Sequence, residues 1–216
     1  MTVPVEAQES VLRVLSVTGQ GDESTPATLA RVQLGVTAQG EDAQAVQQTL
    51  AERSSAVIEF LRSQNVDELQ TTGIRLNPQY DYEGDRPRIV GYSGANTVSF
   101  QMPTAAVGSL LDDAIAAGAN QINSVSFVAA DDAIESARDA AIQAAIADAQ
   151  AQADVVLGNL NLSAQEIIGI QVNNAAPPTP LPFAPQARLE STATASTPVE
   201  GGEQTVNASV TLQIRY

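Results

Sequence analysis

An α+β fold is predicted here, a mixed and largely antiparallel sheet with three main helices packed on it, and three observations predict it. Runs of alternating apolar and polar residues occur in pairs close together along the chain, which is how antiparallel strands are joined. Three stretches of helical periodicity separate those pairs. Aromatic residues make up only 4% of the chain and Trp is absent, so the core must be built from Val, Ile, Leu and Ala, which suit a sheet packed against Ala-rich helices. A split into two lobes near residue 103 is the alternative organisation.

The elements follow in order. Val11 to Thr18 is a β-branched apolar run that Gly19-Gln20-Gly21 closes, so it reads as a strand and a flexible turn. From Ala30 the residues Ala30, Val32, Leu34, Val36 and Ala38 alternate with Arg31, Gln33, Gly35 and Thr37, the period of a strand with one buried face. Glu41 and Asp42 place negative charge at the start of a helix running to Ser63, whose Val46, Leu50, Val57, Ile58 and Leu61 share one face. Leu69 to Leu76 reads as a strand, Pro78 to Pro87 as a long hairpin connection, and Val90 to Phe100 as the return strand that Pro103 ends.

Thr104 is placed to cap a second helix, which carries Val107, Leu111, Ala114 and Ile115 and stops at Gly118-Ala119-Asn120. A strand from Ile122 to Val128 follows. Asp131 and Asp132 then open a long Ala-rich helix ending near Gly158, with Ile134, Ala141, Ala145, Ala149, Ala153 and Val156 near one stripe, where alanine permits a close approach. Glu166 to Val172 is a short strand. Residues 174–202 are rich in Pro, Ala, Thr and Ser and read as a mobile insert, and the alternation from Thr205 to Tyr216 gives a terminal strand that returns against the preceding one.

Composition excludes much chemistry. The net charge is -15 and all 10 basic residues are Arg, so the surface repels phosphate backbones and anionic bilayers, and no nucleic-acid partner is expected. Neither Cys nor His occurs, which removes thiol nucleophiles, imidazole bases, disulfides and the usual zinc and iron ligands. No run approaches the length of a membrane-spanning helix, and Met1-Thr2-Val3-Pro4-Val5-Glu6 reads as a mature start with an added Met, a signal peptide having been removed.

Four sequence features invite functional readings. Asp81, Glu83 and Asp85 alternate around Gly84 and could offer oxygen ligands to a hard cation such as calcium, but the ligand series of an EF-hand is incomplete and a solvated hairpin is the expected reading. Asp112-Asp113 and Asp131-Asp132 are adjacent on helices, so their side chains diverge by roughly 100° and suit capping or solvation better than paired acid/base work. Gly19-Gln20-Gly21 has no following Lys and leads into a strand, so it does not make a phosphate loop. Tyr80, Tyr82 and Tyr92 gather around the long hairpin, where hairpin or core packing competes with a role at a protein interface.

Val17-Thr18-Gly19-Gln20-Gly21, the strand Ala30 to Val36, Leu69-Gln70-Thr71-Thr72-Gly73-Ile74, the Pro78-Gln79-Tyr80 hairpin, Gly91-Tyr92-Ser93-Gly94 and the helix end Ala117-Gly118-Ala119-Asn120 follow one another in a set order. Together these segments resemble the SIMPL (DUF541) family of bacterial envelope proteins. On this resemblance residues 1–10 are an N-terminal extension and 11–216 a single SIMPL-like domain carrying the 174–202 insert. The resemblance implies an exported protein of the periplasm or outer envelope, with relatives linked to oxidative-stress tolerance and to ring-like oligomers, and no known active site.

The expected function is therefore non-enzymatic, acting through self-assembly or an envelope protein partner, with the Pro78 to Arg88 hairpin or the terminal strand as the contact. No catalytic residue and no cofactor is expected. A small-ligand-binding module with a pocket between helices and sheet is the alternative, and an enzyme working with carboxylates alone comes third.

Overall fold

The computed structural model describes residues 13–83, 86–175, 179–182 and 200–216. Its strands are β1 (Val14–Pro26), β2 (Leu29–Gly40), β3 (Asp67–Asp81), β4 (Arg88–Pro103), β5 (Gln121–Val128), β6 (Glu166–Ala175), β7 (Leu181–Pro182) and β8 (Glu203–Arg215). The helices are α1 (Ala43–Ser63), α2 (Val107–Ala116) and α3 (Asp131–Asn159), with a 3-10 turn at Thr104–Ala106. The α+β expectation holds, with the strands shared between a three-stranded and a five-stranded sheet. The chain divides into two compact units at residues 25/26, 130/131, 178/179 and 204/205, so Pro103 lies inside one of them.

The first unit holds the sheet β1-β8-β6 and α3. β8 is central, antiparallel to β6 and running opposite to β1, as the Thr18–Thr211 and Ser24–Thr205 hydroxyl pairs show. Its alternation buries Val206, Ala208, Val210, Leu212 and Ile214 against Ala137, Ala141, Ala145, Ala149 and Ala153 of α3. Those alanines recur every four residues and make a smooth helix face.

That face explains a departure from the sequence reading. Gly19 and Gly21 are not a turn; they lie inside β1, where a Cβ on Gly19 would stand 2.1 Å from the Ala145 carbonyl oxygen and one on Gly21 2.2 Å from that of Ala141. Glycine is required because helix backbone meets strand backbone. At the far end of α3 the buried residue is Leu157, whereas Val156, expected on the stripe, is 40% exposed.

The second unit is built on β2-α1-β3-β4-α2-β5 with sheet order β3-β4-β2-β5-β7, the split βαβ arrangement, and its neighbouring strands pair antiparallel. Val32, Leu34, Val36, Val98, Phe100 and Phe127 form the core under α1 and α2. Asp42 caps α1 by accepting a hydrogen bond from the Ala45 N–H at 2.8 Å. Thr104, expected as a cap of α2, is buried and donates to the Ala27 carbonyl at 3.3 Å; a 3-10 turn precedes that helix instead.

The Ala-Gly-Ala-Asn helix end has a definite job. Gly118 takes φ +118°, Ala119 is buried, and the Asn120 side chain accepts from the Thr37 N–H at 2.7 Å and donates to the Thr37 carbonyl at 3.0 Å, acting as a strand partner for β2 where β5 has not yet begun. The segment expected to be a mobile insert lies mostly outside the described residues. Part of it is ordered structure: β7 pairs with Ser126 and Phe127 of β5, and the buried Gln204 side chain accepts from the Ala129 N–H at 2.6 Å and donates to the Thr179 carbonyl at 2.9 Å.

Candidate functional site

The hairpin marked in the sequence is the first candidate. β2 pairs with β4 only as far as Gly40–Tyr92, yet β3 and β4 continue together through Gln79–Gly91 and Tyr80–Ile89 to Asp81–Arg88. Pro78, expected to end a strand, is accommodated within β3 because β3 is the sheet edge and its missing N–H costs no ladder bond with a further strand. Side chains alternate across a strand, so Ile74, Leu76, Pro78 and Tyr80 make one stripe along this edge, and Tyr82, just past the end of β3, lies beside Tyr80. All five are exposed, Ile74 by 73% and Tyr82 by 72%.

The tyrosines do not act as one cluster. The rings of Tyr80 and Tyr82 lie 6.2 Å apart at 44°, exposed on the hairpin, whereas Tyr92 packs against the core beneath α1. Asp81 is engaged within the hairpin: it accepts from the Glu83 N–H at 2.9 Å and stands 3.6 Å from Arg88. Asp85 lies outside the described residues, and no group of three acidic side chains suited to a metal ion occurs among the described ones.

Asp112 and Asp113 are exposed on α2, and Asp131 and Asp132 are exposed in the first turn of α3, where Asp132 accepts from the Ala133 N–H at 2.9 Å. Asp113, without Asp112, lines a hollow of about 340 Å³ together with Gln64, Met102, Ser109 and Leu110. The terminal strand is not available for edge pairing either, because β8 has β1 on one side and β6 on the other.

Two surfaces escaped the sequence reading. In the first unit, α3 is seated against the glycines of β1, and the opposite edge strand β6 leaves Ile167, Ile168, Ile170 and Val172 between 42% and 67% exposed. A run so apolar reads from sequence as a buried strand, and nothing local says that these side chains are left half uncovered. In the second unit, a polar hollow of about 240 Å³ opens on the sheet face away from α1 and α2, lined by Gln33, Thr72, Gly73, Arg75, Thr97 and Asn123 among others. A pocket between helix and sheet also exists, about 320 Å³ beside Ile58, Arg62, Val66 and Leu69.

Fold and surfaces together define an α+β protein of two units whose outward features are bare apolar strand stripes and small hollows. The chain belongs to the SIMPL family, described as a protein of unknown function (DUF541), which matches residues 15–214. It is 34% identical over 127 residues to the uncharacterized protein YggE of Escherichia coli K12, and equally to YggE of E. coli O157:H7 and of Shigella flexneri. The match covers 56% of this chain and 52% of each relative, so the chain spans about half the length of the curated relatives it matches. Among the described residues no helix is long and apolar enough to cross a membrane.

Proposed function

We propose that this protein works in the cell envelope by binding further copies of itself or a protein partner, not by catalysis, and that its stress-related role is to hold such an assembly. The β3 stripe of Ile74, Leu76 and Tyr80, continued by Tyr82 just past the end of the strand, carries this reading. Exposed apolar side chains that line up along one edge and end in two tyrosines are what interfaces use, since Tyr supplies a large apolar body with little entropy to lose. Pro78 and Arg75 discourage another strand from adding at that edge, so the contact runs through the side-chain stripe.

Absolute mass in solution by light scattering after size exclusion tests the reading, over a range of protein and salt concentrations. A discrete multimer that persists on dilution supports it, and the Tyr80→Ser/Tyr82→Ser double variant shifts the mass towards monomer with its melting temperature unchanged. A monomer throughout, with no protein co-purifying from an envelope fraction, refutes it. The envelope setting is tested separately by fractionating cells that make the native chain.

A further inference from the structure

The hollow on the helix-free sheet face is assembled by distortions on both sides of the sheet centre. Against β4, β3 skips a partner between Thr71 and Gly73, leaving Thr72 as a bulge; against β2, β5 skips one between Ile122 and Ser124, leaving Asn123 as a bulge. Both bulged side chains line the same hollow. There Thr72 accepts from the Gln33 amide at 3.1 Å, and Asn123 reaches the Thr97 hydroxyl at 3.5 Å. A bulge re-aims a side chain at the expense of ladder bonds, and two of them converging on one spot need a reason that sheet stability does not supply.

Small residues keep the spot open. Gly73 and Ala95 lie side by side with Thr97 and Arg75 on this face, and a Cβ on Gly73 would meet nothing within 4 Å. Glycine inside a strand is destabilising, and here no packing neighbour demands it.

We propose that this hollow is a binding site for a small hydroxylated carboxylate of about one sugar ring, a sugar acid, free or as a residue of an acidic polysaccharide. Arg75 is the one charged residue of the lining, and among the described residues it has no carboxylate within ion-pairing distance. A guanidinium fork matches a planar carboxylate. The amides of Gln33, Gln121 and Asn123 and the hydroxyls of Thr72 and Thr97 each both donate and accept, as sugar hydroxyls do. No aromatic ring and no apolar side chain larger than Ala95 lines the site, which disfavours alkyl chains and nucleobases. The proposal stands independently of assembly through the hairpin stripe.

The test is an NMR titration of the full chain that follows the side-chain amide signals of Gln33, Gln121 and Asn123. Probes are glucuronate, a short oligogalacturonate, glucose and hexanoate. Those amides shift with the uronates at an affinity on the order of millimolar, as expected for so small a ligand, and glucose and hexanoate bind at least about tenfold more weakly. Binding of glucuronate assigns the site to free acid or chain end; binding of the oligomer alone assigns it to residues within a polymer.

Arg75→Gln weakens binding about tenfold or more. Gly73→Val fills the hollow and abolishes binding while the melting temperature holds, since its Cβ has open space. Amide signals unmoved by either uronate, equal binding of glucose, or undiminished binding by a folded Arg75→Gln or Gly73→Val protein overturns the proposal.

Discussion

Gly19→Ala tests the account of how the first unit is packed. The new Cβ would lie 2.1 Å from the Ala145 carbonyl oxygen and 2.3 Å from the Ala149 nitrogen, both of them backbone atoms of α3 that cannot rotate away. Restoring ordinary contact needs α3 and β1 to part by more than about 1 Å, a gap that forfeits a quarter to a half of each dispersive contact along the seam. Overpacked cores lose about 1–3 kcal/mol, and with backbone on both sides of the clash the expected loss is at the upper end, about 3 kcal/mol. In a chain of this size that lowers the melting temperature by about 6–12 °C. Thermal unfolding followed by circular dichroism reads it, with Gly73→Ala as the control. That Cβ meets nothing within 4 Å, so the control is neutral or gains about 0.4–1 kcal/mol. Equal melting temperatures for the two variants would refute the close approach of helix to strand.

Other substitutions probe the joints of the second unit. Gln204→Ala removes a side chain 3% exposed that satisfies both the Ala129 N–H and the Thr179 carbonyl. Leaving those groups unpaired costs about 2–4 kcal/mol, read as a fall in the urea midpoint at constant slope. Asn120→Ala deletes the side chain standing in for a strand beside Thr37 and costs about 1–2 kcal/mol, with faster amide exchange expected at Thr37. Asp42→Ala removes the α1 cap at about 1 kcal/mol, while Asp42→Asn largely retains it.

What the sequence disclosed depended on how local its cause was. The alternation of β2 and β8, the buried face of α1 and the acidic start of that helix at Glu41 and Asp42 are written within a few residues, and all are visible before any coordinates. Gly19 and Gly21 mislead because a glycine pair reads as a turn, whereas its reason is the alanine face of α3, more than a hundred residues on. Pro78 misleads in the same way, because only the sheet order reveals that β3 is an edge. Of the candidate surfaces, Tyr80 and Tyr82 could be named from their chemistry. The hollow could not: Gln33, Thr72, Arg75, Thr97 and Asn123 are ordinary polar residues on four strands, joined only by register and two bulges.

The central place of β8 sets an order of events as the chain is made. Thr18 and Thr211, 193 positions apart, end as direct neighbours, so β1 emerges first and waits for its partner until nearly all the rest has followed. β2 through β5 are contiguous and can close their own sheet in the meantime. Contacts between distant segments form slowly, because the loop must be closed before any pairing rewards it. A chain stopped before residue 203 would therefore hold a sound βαββαβ core beside two strands, β1 and β6, with nothing between them, and it would present bare strand edges to every other unfinished copy.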